Sequence, residues 1–250
     1  MGAPHHIRNL LLGSLAPADL ALLLPHLSEI PLQQGAIVQE IDTKVEHVIF
    51  PLSGMISLVA VMENGGMVET ATVGREGALG AFAGLGPWHA FTRAVVQLPG
   101  TGAIVSAARF FGAVSRSEPL RDLVLRYKES QLAQVQQTAA CNALHSLEAR
   151  LARWLLQAQD RAESAELPLT QDFLSQMLGV RRTTVTLTSG ILHSAGLIRQ
   201  RRGTIEILDR AGLEAQACEC YRVLRRRSDA LAIGQQGWEA TGTQSDSGGR

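Results

Sequence analysis

The chain has 250 residues, with 23 Lys+Arg balanced by 23 Asp+Glu, 46% apolar and 18% charged residues. That length can hold two domains with their own cores, and the composition excludes a disordered or fibrous protein. No run approaches 18 uninterrupted apolar residues, so no transmembrane helix is expected, and MGAPHHIRNLLLGSL lacks a signal-peptide cleavage pattern. Three cysteines, Cys141, Cys218 and Cys220, show no disulfide or zinc framework in their spacing. Cys218-x-Cys220 is closer than the usual C-x-x-C ligand pair and reads as a partly buried helix face. A reducing cytoplasm is the expected compartment, with no metal and no cofactor.

Residues 10–30 predict one or two short helices, with Pro17 near a helix start. From Ile30 to Arg109 glycines punctuate short β-rich runs: GAIVQE, HVIFPLSGMISLVAVM, MVETATV, TRAVVQL and AIVSAA. Glu63-Asn64-Gly65-Gly66 between two of them is a hairpin signal. Strands at this spacing predict a small antiparallel barrel or jelly roll. A metal-dependent β-roll enzyme would need clustered His and carboxylate ligands, yet His26, His47 and His89 are scattered singly. No catalytic constellation is recognisable, and the expectation is a protein that is not an enzyme.

From Pro119 the pattern is helical. Leu120, Val124, Tyr127, Gln131, Gln134, Thr138, Cys141 and His145 follow a coiled-coil-like 4-3 spacing, a seam with polar members that fits either pairing with another helix or packing within one chain, with Leu123, Leu132 and Val135 flanking it towards the β-roll. Leu147, Leu151, Trp154 and Leu155 repeat on one face of a further helix. Residues 162–166 read as a linker.

The most informative stretch is TQDFLSQMLGVRRTTVTLTSGILHSAGLI, residues 170–198. Phe173, Leu174, Met177 and Leu178 mark one short helix, and Val185, Leu187, Ile191 and Leu192 a second. Gly179 lies between them, where a tight turn needs positive φ, with Val180 as an apolar plug. This predicts a helix-turn-helix. Arg181, Arg182, Thr183, Thr184 and Thr186 crowd the start of the second helix. Arginine there is poor dipole chemistry but suits phosphates and guanine edges. Leu197-Ile198 and Ile205-Ile207 predict two strands around Arg202-Gly203, a β-wing bearing Arg199, Arg201 and Arg202. Asp209 is placed to cap a last helix starting near Arg210. Residues 168–227 hold ten arginines against five carboxylates, a net +5 in a neutral chain, which fits a polyanionic partner. After Arg227 periodicity is lost, and 228–250 are expected to form a disordered tail.

LPLTQDFLSQMLGVRRTTVTLTSGILHSAGLIRQRRGTIEILDRAGLE resembles the C-terminal winged helix of the Crp/Fnr superfamily of bacterial transcription regulators, and the resemblance reaches back more weakly to about residue 10. It implies an α+β chain: a sensory cyclic-nucleotide-binding-like β-roll (10–118), a dimerisation helix (119–145), a winged helix-turn-helix (146–227) and the tail. Leu52-Ser53-Gly54-Met55-Ile56 looks like the roll's glycine corner. The implied partners are double-stranded DNA, a second copy of the chain, RNA polymerase and a small-molecule effector of unknown identity, with no membrane. The resemblance places Arg182, Thr183 and Leu187 at base-contacting positions.

A roll that binds cyclic nucleotide carries a G-E-L-G cassette and an Arg-Ser/Thr pair. Here the stretch reads Gly77-Ala78-Leu79-Gly80, so the carboxylate that would accept the ribose hydroxyl is missing. Glu76 and Arg93 are the remaining effector-binding candidates, and Arg93 precedes Ala94 where a hydroxyl would be expected. Cyclic AMP is therefore not the expected effector. GREGALG reads equally as a demanding turn or as part of a site for another ligand. Iron–sulfur sensing of the Fnr type is not expected either, because residues 1–30 contain no cysteine. The leading expectation is a sequence-specific DNA-binding regulator. The alternative is a small-molecule sensor or protein-interaction module whose winged helix makes protein contacts.

Overall fold

The computed structural model describes residues 8–162 and 164–232. Two short helices open it, α1 (Leu10–Gly13) and α2 (Pro17–Leu20). Asn9 is fully buried at the start of α1. Its Oδ1 accepts the N–H groups of Leu11 and Leu12 at 3.1 Å, while Nδ2 donates to the carbonyls of Pro51 and Gly77. One amide thus satisfies a helix end and ties it to the roll.

The roll contains β1 (Ser28–Leu32), β2 (Ile37–Gln39), β3 (His47–Pro51), β4 (Met55–Val61), β5 (Met67–Val73), β6 (Arg93–Leu98) and β7 (Gly100–Ser106). They form two antiparallel sheets, in the orders β1-β7-β3 and β2-β6-β4-β5. Leu32, Ile49, Ile56, Val73, Ala94 and Val96 meet as one apolar cluster. The β4–β5 hairpin closes at the predicted turn: Gly65 has φ +81°, and Asn64 Oδ1 accepts the Gly66 N–H at 2.9 Å. Gly54 has φ +79°, and a Cβ there would lie 2.6 Å from the Leu98 carbonyl, so the corner has no room for a side chain. β1 starts at Ser28, inside the stretch expected to be helical. A ten-residue helix, α3 (Ala107–Arg116), stands where the sequence pattern indicates none. Phe110, Ala113 and Val114 give it a buried i, i+3, i+4 stripe, and Ser106 caps it. Its first turn takes the end of the AIVSAA run, which reads as strand by composition.

α4 (Glu118–Leu144) is the long helix, capped by Ser117, whose Oγ accepts the Leu120 N–H at 3.0 Å. Its predicted seam needs correction. Leu120, Val124, Tyr127, Thr138 and Cys141 are buried within the protomer, and Gln134 donates to Thr72 of β5. The face left open carries Leu125, Leu132 and Val135; of these, Leu132 and Val135 are expected from spacing to face the roll. Spacing alone does not separate two apolar stripes on one helix, and the polar members belong to the inner one.

α5 (Leu147–Ala162) follows a break at His145-Ser146 and buries Leu151, Trp154 and Leu155. The winged helix continues with β8 (Glu166–Leu167), α6 (Gln171–Leu178), α7 (Arg182–Ser194), β9 (Ile198–Arg201), β10 (Thr204–Ile207), α8 (Arg210–Gln216) and α9 (Cys220–Ala232). β8 lies partly in the predicted linker and makes the wing a three-stranded sheet, β8-β10-β9. Helix also runs through 228–232, which corrects the start of the expected tail; residues 233–250 lie outside the described residues. Met55, Val59 and Leu98 of the roll share one core with Leu151, Trp154, Leu155, Leu174 and Met177 of the winged helix. The two units are therefore docked by burial of apolar surface. The three cysteines, whose spacing shows no framework, converge in one apolar cluster.

Candidate nucleic-acid interface

Thr170 caps α6 by accepting the Phe173 N–H at 3.2 Å. Gly179 then takes the left-handed conformation (φ +66°, ψ +36°), and the Val180 N–H donates back to the Ser175 carbonyl at 3.0 Å. This turn launches α7, which buries Val185, Thr188, Ser189 and Leu192. Ser189 can lie in the core because its hydroxyl donates to the Val185 carbonyl.

Arg181, Arg182, Thr183, Thr184 and Thr186 are all exposed. Arg181 is the N-cap of α7 and makes no side-chain cap. Arg182 lies 3.3 Å from Asp172 in an exposed ion pair. Thr186 donates to Gln171, whose amide reaches Gln200 of the wing at 3.4 Å. Arg199, Arg201 and Arg202 are exposed on the wing; Glu206 pairs with Arg199 at 3.0 Å and Arg201 at 3.7 Å. Arg210 serves inside the domain, bonded to Asp160, Gln159, Glu214 and Tyr221. The predicted interface residues are thus exposed on α7, its N-cap and the wing, and Gln171 links the two elements through Thr186 and Gln200.

Two residues of this surface are core members by spacing alone. Leu187 is 72% exposed and Ile191 53%. The core stripe runs Val185, Ser189, Leu192, and its small polar member disguises the period. The signal is present in the sequence, since Leu187 lies off that stripe.

The effector candidates are not brought together. Glu76 accepts Arg161 Nε of α5 at 3.0 Å and Nη2 at 2.5 Å, in an ion pair joining the roll to the winged helix. Arg93 pairs instead with Glu40 at 3.0 Å. Within the roll, Ala78, Leu79, Phe82, Trp88, Phe91 and Tyr127 line a cavity of about 100 Å³. Tyr127 also packs against Gly77: a Cβ there would lie 2.6 Å from the phenol oxygen. Burial raises the Tyr127 pKa above the usual phenol range. His26, His47 and His89 join no metal-ligand group among the described residues.

Among the described residues, a strongly perturbed carboxylate lies between the units. Glu69 of β5 is 6% exposed and accepts the Trp154 indole N–H at 2.9 Å and the Ser57 hydroxyl. Burial raises its pKa to about 7, and the Ser57 and Trp154 hydrogen bonds and the charges of Arg153 and Arg161 oppose the rise.

Residues 149–216 match the Crp-like helix-turn-helix domain. No curated protein matches the chain in sequence. Among solved structures it is similar to FixK2 from Bradyrhizobium japonicum (16% identity, TM-score 0.66, 77% of this chain and 98% of that one). It is also similar to a CRP/FNR-family transcriptional regulator from Thermus thermophilus (22%, 0.61, 76% and 98%). The chain has the Crp/Fnr fold and carries a Crp-like helix-turn-helix domain. It is similar as well to CLP, described as the c-di-GMP-responsive global regulator of Xanthomonas campestris (16%, 0.62, 78% and 100%). The order of roll, long helix and winged helix expected from the sequence is therefore the observed one. No helix among the described residues is long and apolar enough to cross a membrane.

Proposed function

We propose that the chain is a sequence-specific, DNA-binding transcription regulator of the Crp/Fnr type that acts as a homodimer and does not respond to cyclic AMP. The observation that carries this reading is the uncovered start of α7. Arg181, Arg182, Thr183 and Thr186 stand there exposed, as do Arg199, Arg201 and Arg202 of the wing. With no side-chain cap, the first N–H groups of α7 are open to a phosphate, and the wing arginines extend the same basic surface. Arg182 and Leu187 then face base edges, the first suited to guanine and the second to a thymine methyl.

Dimerisation is assigned to the open face of α4, where Leu125, Leu132 and Val135 would pack against a second copy. Two recognition helices related by a two-fold axis would read half-sites about 34 Å apart. No catalytic role is assigned to any residue. Incubating the full chain with sheared genomic DNA and sequencing the retained fragments tests the proposal. A shared, two-fold symmetric motif is the expected result. Fragments without any common sequence, at physiological salt, would refute specific recognition.

A further inference from the structure

Cys141 lies in the last turn of α4 and His145 is its C-cap, so the i, i+4 spacing turns both towards the same side. Cys220 is the first residue of α9 and Cys218 lies just before it. The donor atoms of these four residues all lie within 4.8 Å of one another. Cys141 Sγ is 3.5 Å from Cys218 Sγ, and Cys220 Sγ is 3.6 Å from His145 Nδ1. A tetrahedral zinc ion, with Zn–S about 2.3 Å and Zn–N about 2.0–2.1 Å, has ligand–ligand edges of about 3.5–3.8 Å. Two opposite edges of the tetrahedron are thus already at the required length. An iron–sulfur cluster is a body of several atoms and would hold its ligands farther apart.

The surroundings complete the donor set. Glu219 Oε2 lies 3.2 Å from His145 Nε2, so it accepts that N–H and leaves the Nδ1 lone pair facing the sulfurs. This is the carboxylate–histidine arrangement that orients metal-binding imidazoles. Gln137 Nε2 donates to Cys220 Sγ at 3.0 Å. Three thiolates and a neutral imidazole around a divalent ion leave one net negative charge. Arg153 is buried, interacts electrostatically with Cys141, and its Nε has no hydrogen-bond partner among the described residues. The three thiols are buried and the histidine ring is partly open, which leaves a route for the ion.

We infer that Cys141, His145, Cys218 and Cys220 form a structural zinc site that clamps the end of the long helix to the last helix of the winged domain. The ligand set is closed, three sulfurs and one nitrogen, so the ion has a structural role and no open position for chemistry. It joins distant parts of the chain, Cys141 and Cys218 being 77 positions apart, and fixes the angle at which α4 meets α9.

The test is elemental analysis of the full chain, purified under reducing conditions without chelator, followed by replacement of the metal with cobalt. One zinc per chain is expected, and the cobalt form should show the intense absorption of tetrahedral thiolate coordination. Cys141→Ser and Cys218→Ser should lose the metal. Glu219→Gln should retain it with affinity lowered about 10- to 100-fold. Because the serine variants could simply misfold, the wild-type metal content and cobalt spectrum decide the matter alone. A metal-free protein that gives no thiolate–cobalt band after reduction overturns the inference. So does iron with inorganic sulfide at the site, or a Cys141–Cys218 disulfide in protein that binds no metal once reduced.

Discussion

Arg182 holds its guanidinium in solvent, paired with exposed Asp172. Such a pair contributes little to folding and is easily exchanged for a base edge. A bidentate Arg–guanine contact discriminates by about 1–3 kcal/mol. Arg182→Ala should therefore relax preference at one base pair per half-site while leaving binding to scrambled DNA nearly intact. Salt titrations on both DNAs measure this, and an equal loss on each would make Arg182 a phosphate contact. Arg201 has the opposite expectation: its replacement by alanine should weaken all sequences alike and lower the salt slope by about one. Glu206→Gln should steepen that slope, because Glu206 now offsets both Arg199 and Arg201. The exposed basic residues were legible in the sequence because positive charge in a first helical turn opposes the helix dipole. The exposure of Leu187 was legible only from its place off the Val185–Ser189–Leu192 stripe, because apolar period alone counts it with the core.

At the level of elements, α4 presents two faces with different tasks. The inner face reaches the roll through Tyr127 and Gln134, and the outer one exposes Leu132 at 58%. Leu132→Glu should give a monomer in sedimentation at micromolar concentration, with the folded spectrum retained. A wild-type monomer, or an unaffected dimer in the variant, would remove α4 as the interface. The same inner face bears on the effector. Tyr127 stands against the Gly77-Ala78 turn, and the cavity it lines is about 100 Å³, well below the ~300–1,000 Å³ typical of ligand pockets. With Ala78 in place of a carboxylate and Arg93 held by Glu40, two charge-assisted contacts to cyclic AMP are missing. Each is worth about 1–3 kcal/mol, enough together to move a micromolar ligand towards millimolar. Calorimetry should detect no micromolar binding; a clear isotherm would return attention to Glu76. Strands and helix-turn-helix were readable from period and turn chemistry. The short wing strand β8 was not, since two residues carry no period and Glu166-Leu167 is defined only by pairing with β10.

For the whole molecule, the roll and the winged helix share a core with a carboxyl group inside it. Glu69 has a folded pKa of about 7 against an ordinary 4.5, so the folded state holds its proton more tightly. Its contribution is fully present below pH 4.5 and is lost as pH rises through about 7. That amounts to about 3 kcal/mol of docking or folding free energy. Glu69→Gln should abolish the dependence, making the variant more stable than wild type at about pH 8 and similar at about pH 5; thermal melts at both values decide it. Parallel melts would show that Glu69 is ionised and compensated throughout. The contact that holds this carboxyl has an optical side as well. Trp154 is buried with its indole N–H on Glu69, whereas Trp88 stacks edge-on with Phe82 and Phe91 beside the roll cavity. Fluorescence from Trp154, in a chain whose other tryptophans are replaced by phenylalanine, would shift to longer wavelength when the winged helix lifts off the roll. The molecule therefore contains its own light-emitting gauge of interdomain separation, readable during DNA titration without any attached dye.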